Sequence, residues 1–247
     1  MKRILALIEE KKHSYAQSSL FEFMQDLKIH PIKRLAFAPC AAPFIMSFAD
    51  LCKYTLRQEP ANNQIQSILN QHTYEDDFHW QWFLEDLQQL GFNHRLNFND
   101  SLRFIWGEET RSSRFLSNEL YRNIVVSEPL EKWIILEVME AAADVFLSHT
   151  RKITQEIHLI TNQEFKYFGN CHLNAETEHT AHSQGVNELI ESIDLAQEDE
   201  DKNALLVNTI FELFSQWNLS LLAYAQNHRV SQMLRRQPYQ ELELEVA

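Results

Sequence analysis

Glycine occurs only 4 times and proline 6 times in 247 residues. These two residues most often end helices and build tight turns. A chain with so few of them is constrained toward long helices and away from a turn-rich β-fold. The length suits one large domain or two small ones. Its 45% hydrophobic and 23% charged residues are an ordinary globular composition, so a sizeable core can form.

Apolar spacing then places the helices. Residues 2–12 alternate Ile/Leu pairs with charges at helical period. A second apolar block runs from 32 to 56. Pro39 and Pro43 flank PCAAP within it, and a helix is predicted to end near Ala38 and restart near Pro43. One long helix is expected over about 64–90, closed by Gly91. Residues 93–100 are polar and read as a loop. Further helices are expected over 108–126 and from Pro129 through Thr150. Residues 153–168 read as helical with a break, followed by helices from Cys171 to near Gly185 and over 204–228. The acidic run 198–202 is a solvated loop or a helix start. There is no internal repeat and no linker. The expectation is an all-α single domain of about seven to nine helices over 1–230, with 231–247 as a C-terminal tail.

Charge narrows the partners. A net charge of -13 makes nucleic acid and anionic membrane surfaces poor partners, because phosphate binding needs a basic patch. The basic cluster at 233–236 reads as part of a solvated tail. Cys40, Cys52 and Cys171 have no paired spacing, so no disulfide framework is expected. The N-terminus lacks a signal-peptide core, and no window reaches the ~18 apolar residues of a membrane span. A cytoplasmic location is expected.

The chemistry concentrates in two stretches. In KYFGNCHLNAETEHTAH (166–182), His172, Glu176 and His179 are spaced four and three and share one helical face, with His182 at its edge. In HTYEDDFHWQWFLEDL (72–87), His72, Glu75, Asp76 and His79 also fall on one face of the expected long helix. Asp76-x-x-His79 and Glu176-x-x-His179 have the same form, a carboxylate three residues before a histidine. Di-iron carboxylate bundles use Glu-x-x-His pairs from two helices with lone carboxylates from others. In LEVMEAAADVF, Glu137, Glu140 and Asp144 share a face of an otherwise apolar helix. Glu140 precedes three alanines, which points to close packing, where a charge is costly unless paired or metal-bound. Imidazole and carboxylate together suit iron, manganese and zinc.

Simpler readings stand beside this one. Glu75, Asp76 and Asp77 also read as a solvated acidic face. Glu178 sits off the ligand face, and Glu137 and Asp144 also read as ordinary polar positions. His72 and His182 read equally as part of the metal site and as ordinary surface or core histidines. Trp80, Trp82, Phe83, Phe146 and Phe168 lie near the ligands in sequence, and each reads as core before pocket.

These residues resemble the haem-oxygenase-like di-metal oxidases over nearly the whole chain, residues 5–228. The resemblance rests on His172, Glu176 and His179 after Tyr167-Phe168, on Glu140 about thirty residues earlier, and on His79 ahead of WQWFLEDLQQLGF, with Asp76 or Glu75 as the acid. Two positions depart from the family pattern. Asp is usual where this chain has Glu176, and some members carry Glu where it has His72. The resemblance implies a haem-oxygenase-like helical bundle holding two Fe(II) ions, with manganese also suited, and O2 as co-substrate. It implies oxidation of an amino acid or related small molecule, with Glu140 and His179 indispensable. PCAAPF, DLCKY and HTYEDDFHWQWFL also resemble a nitrile-forming subgroup, which implies a tryptophan-type substrate converted to a nitrile. The expected partners are that small molecule, an external electron donor and a second copy of the chain in a homodimer.

Competing readings make different demands. A metal-free thiaminase-like or pyrroloquinoline-quinone-synthase-like enzyme would use a nucleophilic Cys52 or Cys171. A ferritin-like iron-binding protein would self-assemble. A haem-degrading oxygenase would need His13 as axial ligand, and a non-enzymatic helical partner protein would hold no metal.

Overall fold

The computed structural model describes residues 1–93, 97–178 and 184–227, and every regular element among them is helical. In chain order they are α1 (Lys2–Tyr15), α2 (Ser19–Gln25), α3 (Pro31–Arg34), α4 (Ala38–Leu51), a π-helical turn (Cys52–Leu56), α5 (Gln64–Asp76) and α6 (Trp80–Gln89). Then follow α7 (Phe98–Trp106), α8 (Arg111–Val125), α9 (Pro129–Thr161), α10 (Asn170–Glu178), α11 (Gln184–Glu191) and α12 (Gln197–Asn227). The all-α, single-domain expectation is met. No described helix is long and apolar enough to cross a membrane. The tail expected over 231–247 lies outside the described residues.

α9 is the spine. Glu128 and Glu131 form a reciprocal capping box at its start, with Pro129 in the first turn. No glycine or proline interrupts it, and Asn162 ends it in the left-handed conformation at φ 58°. The break expected within 153–168 is therefore absent as far as Thr161, because Ile153, Thr154 and Ile157 continue the buried face. α1, α2, α3, α5, α10 and α12 all pack on α9. The core includes Trp133, Ile134, Leu136 and Val138 from α9 itself, each burial worth about 1.5–3 kcal/mol.

Three local expectations are corrected. α4 begins at Ala38 and runs through Pro43 instead of restarting there. Pro39 sits in its first turn, and the hydrogen bond lost at Pro43 is tolerated in a helix packed along α8. Residues 98–106 form α7, where a loop was expected over 93–100. Asn97 caps it by accepting from the Asp100 N–H at 2.9 Å. The 64–90 helix divides at 77–79, which bears directly on the site.

Candidate metal centre

The site begins with what locks α5. Asn63 caps it by accepting from the Gln66 N–H at 2.8 Å. Inside, Gln66 Nε2 donates to the Leu56 carbonyl and to Asn70 Oδ1, each at 2.8 Å. Asn70 in turn exchanges hydrogen bonds with the Gln58 backbone. This buried polar row ties one side of α5 to the π-helical turn. It leaves His72 and Asp76, one turn apart, facing α9.

Arg57 shapes the end of α5. Its guanidinium donates to Thr73 Oγ1 at 2.9 Å, to the Thr73 carbonyl at 2.8 Å and to Asp77 Oδ2 at 2.7 Å. The Thr73 carbonyl is the acceptor the Asp77 N–H would use in a continuing α-helix. Beyond it the backbone tightens. His79 N–H bonds to the Asp76 carbonyl, Gln81 to Phe78 and Trp82 to His79. His79 thus sits at the start of α6 and not on the α5 face that was expected to carry it.

Three ligand atoms converge in the buried space between α5 and α9. His72 Nε2 lies 2.8 Å from Asp76 Oδ2 and 3.1 Å from Glu140 Oε1. The three groups each offer one atom within 4.8 Å of the others. One imidazole nitrogen facing two carboxylates is a cluster that draws positive charge. Burial alone would push His72 down. The Glu140 and Asp76 carboxylates outweigh it and hold His72 well above its ordinary value.

Two more histidines extend the cluster. The other oxygen of Asp76, Oδ1, lies 3.5 Å from His79 Nδ1. Asp76 therefore faces a histidine through each of its oxygens. The His79 ring stacks on Trp82 at 4.5 Å and meets His172 edge-on at 4.6 Å. His72, Asp76, His79 and His172 are all buried. The chain thus brings together five of the residues expected to bind metal, His72, Asp76, His79, Glu140 and His172.

The others fare differently. Glu75 is half-buried beside Asp76 and is not one of the converging three. Asp77 pairs with Arg57 and Asp144 with Lys12 at 2.7 Å, as ordinary ion-paired positions. The side chain of Glu176, and His179 and His182 entirely, lie outside the described residues.

A cavity of about 70 Å³ lies beside the cluster. Asp76, His79, Glu140 and His172 belong to its lining, and so does the aromatic cluster of Phe44, Phe146, Phe214 and Trp217. Ala142 and Ala143 border it, so the small residues after Glu140 leave room beside the carboxylate as well as packing closely. Trp80 and Phe146 reach this lining, whereas Phe83 and Phe168 are core and Trp82 supports His79. No lysine or arginine is among the described lining residues.

Two buried groups border the centre. Burial, reinforced by the charges of Asp76, Glu140 and Asp77, pushes the Cys52 thiol well above its ordinary value, with Arg57 opposing. It is held as a thiol, not as a thiolate nucleophile. Burial, with the Glu140 charge adding to it, pushes Glu137 up to about 8, and Glu137 Oε1 has no hydrogen-bond partner among the described residues. Sequence reasoning also passed over Asp86, which is buried on α6. The signal was present: Phe83, Asp86 and Leu90 share one apolar stripe, where an acid must have partners.

Comparison with protein-family models gives no match, and comparison with curated proteins gives no significant relative.

Proposed function

We propose that this protein is a non-haem di-iron oxidase that uses O2 to oxidise an amino acid or related small molecule. The observation that carries the reading is the convergence of His72 Nε2, Asp76 Oδ2 and Glu140 Oε1, with Asp76 and Glu140 lining a largely apolar cavity. Two buried carboxylates against one imidazole are expensive without a cation, and this donor set suits iron or manganese. His72, Asp76 and Glu140 would hold one ion. His79 and His172 would contribute to a second. When bound, the ions supply the redox chemistry toward O2.

The chain's own residues do the rest. The aromatic part of the lining excludes bulk water and faces the apolar part of a substrate, for which the cavity of about 70 Å³ must widen. The described charged groups of the lining belong to the histidine–carboxylate set, so the polar, nitrogen-bearing part is oriented there. A tryptophan-type substrate yielding a nitrile is the finer form of this proposal, and it rests on the sequence resemblance alone. A metal-free enzyme with Cys52 as nucleophile fits less well, because that thiol is buried and held protonated.

The test is anaerobic loading with ferrous iron, followed by O2 consumption against a panel of amino acids. We expect consumption that depends on one or a few panel members and is lost in Glu140→Ala. Consumption by none of them, with iron bound, would refute the oxidase reading.

A further inference from the structure

Asp86 lies far in sequence from the histidine that follows α9, yet the fold joins them. Asp86 is 1% exposed. Oδ1 accepts from the Lys166 N–H and Oδ2 from the Phe168 N–H, both at 2.8 Å. The turn so gripped is held from other directions too. Thr154 Oγ1 on α9 donates to the Phe168 carbonyl at 3.2 Å. Gly169 passes so close to Phe165 that a Cβ there would stand 2.1 Å from its carbonyl oxygen. The residue between the two gripped amides is Tyr167, and its carbonyl lies 3.1 Å from His172 Nδ1. A carbonyl only accepts, so Nδ1 carries a proton, and in the neutral ring Nε2 then carries the lone pair that a metal needs.

We infer that Asp86 is a positioning residue for His172, gripping the 166–168 backbone so that the Tyr167 carbonyl fixes the Nδ1–H tautomer and the ring's aim. The inference deepens the metal-centre reading and rests on it for its purpose, but the tautomer link stands without metal. Burial pushes Asp86 up to about 6, against the pull of the backbone N–H donors, so at neutral pH it is the charged acceptor the grip requires.

The experiment is long-range 1H–15N correlation on metal-free protein labelled with 15N-histidine, with His172 assigned by His172→Gln, in parallel with Co(II) titration. The wild type is expected to show His172 as the Nδ1–H tautomer. In Asp86→Asn we expect a mixture with the Nε2–H form and a 10–100-fold loss of Co(II) affinity, the range typical of outer partners. Leu120→Ala on α8, a purely packing change, should leave the tautomer alone. If Asp86→Asn does not fold, Asp86→Glu, which keeps the charge but displaces the carboxylate by one methylene, carries the same two readouts. An unchanged tautomer overturns the inference. A shifted tautomer with unchanged Co(II) affinity upholds the Asp86 link and removes His172 from the metal reading. A wild type that shows the Nδ1–H tautomer and takes up no Co(II) refutes the metal reading instead, and the tautomer in the variant still decides the Asp86 link.

Discussion

Glu137 offers a quantitative handle on the electrostatics beside the site. Its carboxyl is raised from 4.5 to about 8, by burial first and by Glu140 next. That difference corresponds to about 5 kcal/mol between the two protonation states as an upper figure. Relaxation and water entry reduce what is measured, so about 2–4 kcal/mol is the working expectation. The direction is fixed by proton binding. Between pH 4.5 and about 8 the folded chain holds a proton here that the unfolded chain has released. This contribution to stability is therefore complete below the unfolded value and is lost as pH rises through about 8. Glu137→Gln cannot titrate. In urea melts of metal-free protein at pH 5 and pH 9, the wild type should lose about 2–4 kcal/mol more than the variant across that interval. A cation bound at Glu140 would pull the Glu137 value down, so metal loading should flatten the wild-type slope. Parallel pH profiles for wild type and variant would refute the reasoning.

Two further perturbations test how the site is built. Arg57→Leu removes the three hydrogen bonds at the end of α5; it should cost about 3 kcal/mol in urea unfolding and weaken metal binding as Asp76 loses its fixed helix end. An unchanged unfolding midpoint would show that the helix break does not depend on Arg57. Ala143→Leu narrows the cavity beside Glu140; iron content should stay within about twofold of wild type while substrate-dependent O2 consumption falls more than about tenfold. Equal turnover would place the substrate elsewhere.

Much of the fold was legible because its signals are local. Low glycine and proline content and apolar periodicity sufficed for the class, and Pro129 and Glu128 marked the start of α9. The helix break at 77–79 was not legible, since no proline or glycine causes it. It goes with Arg57, some twenty residues upstream, taking the Thr73 carbonyl. Likewise α4 reads as interrupted at Pro43 from local rules, and only its packing on α8 explains its continuity. At the site, helical-face spacing singled out His79 and His172, and an acid within an otherwise apolar helix singled out Glu140. Spacing could not rank His72 or choose between Glu75 and Asp76, because a one-residue choice depends on how α5 is rotated by the buried Gln66–Asn70 row. For Asp86 the apolar stripe signals only that the acid must have partners; their identity was not legible, because they are backbone amides eighty residues away.

The central claim is that His72, Asp76 and Glu140, flanked by His79 and His172, hold metal. Anaerobic equilibrium titration with ferrous iron, counted per chain in wild type, His72→Ala and Glu140→Ala, tests it most directly. The account expects about two ions per wild-type chain, and at least about a 100-fold loss of affinity in each variant with helical circular dichroism retained, as expected when a direct ligand is removed. No iron above background in the wild type, or full occupancy at wild-type affinity in both variants, would contradict it.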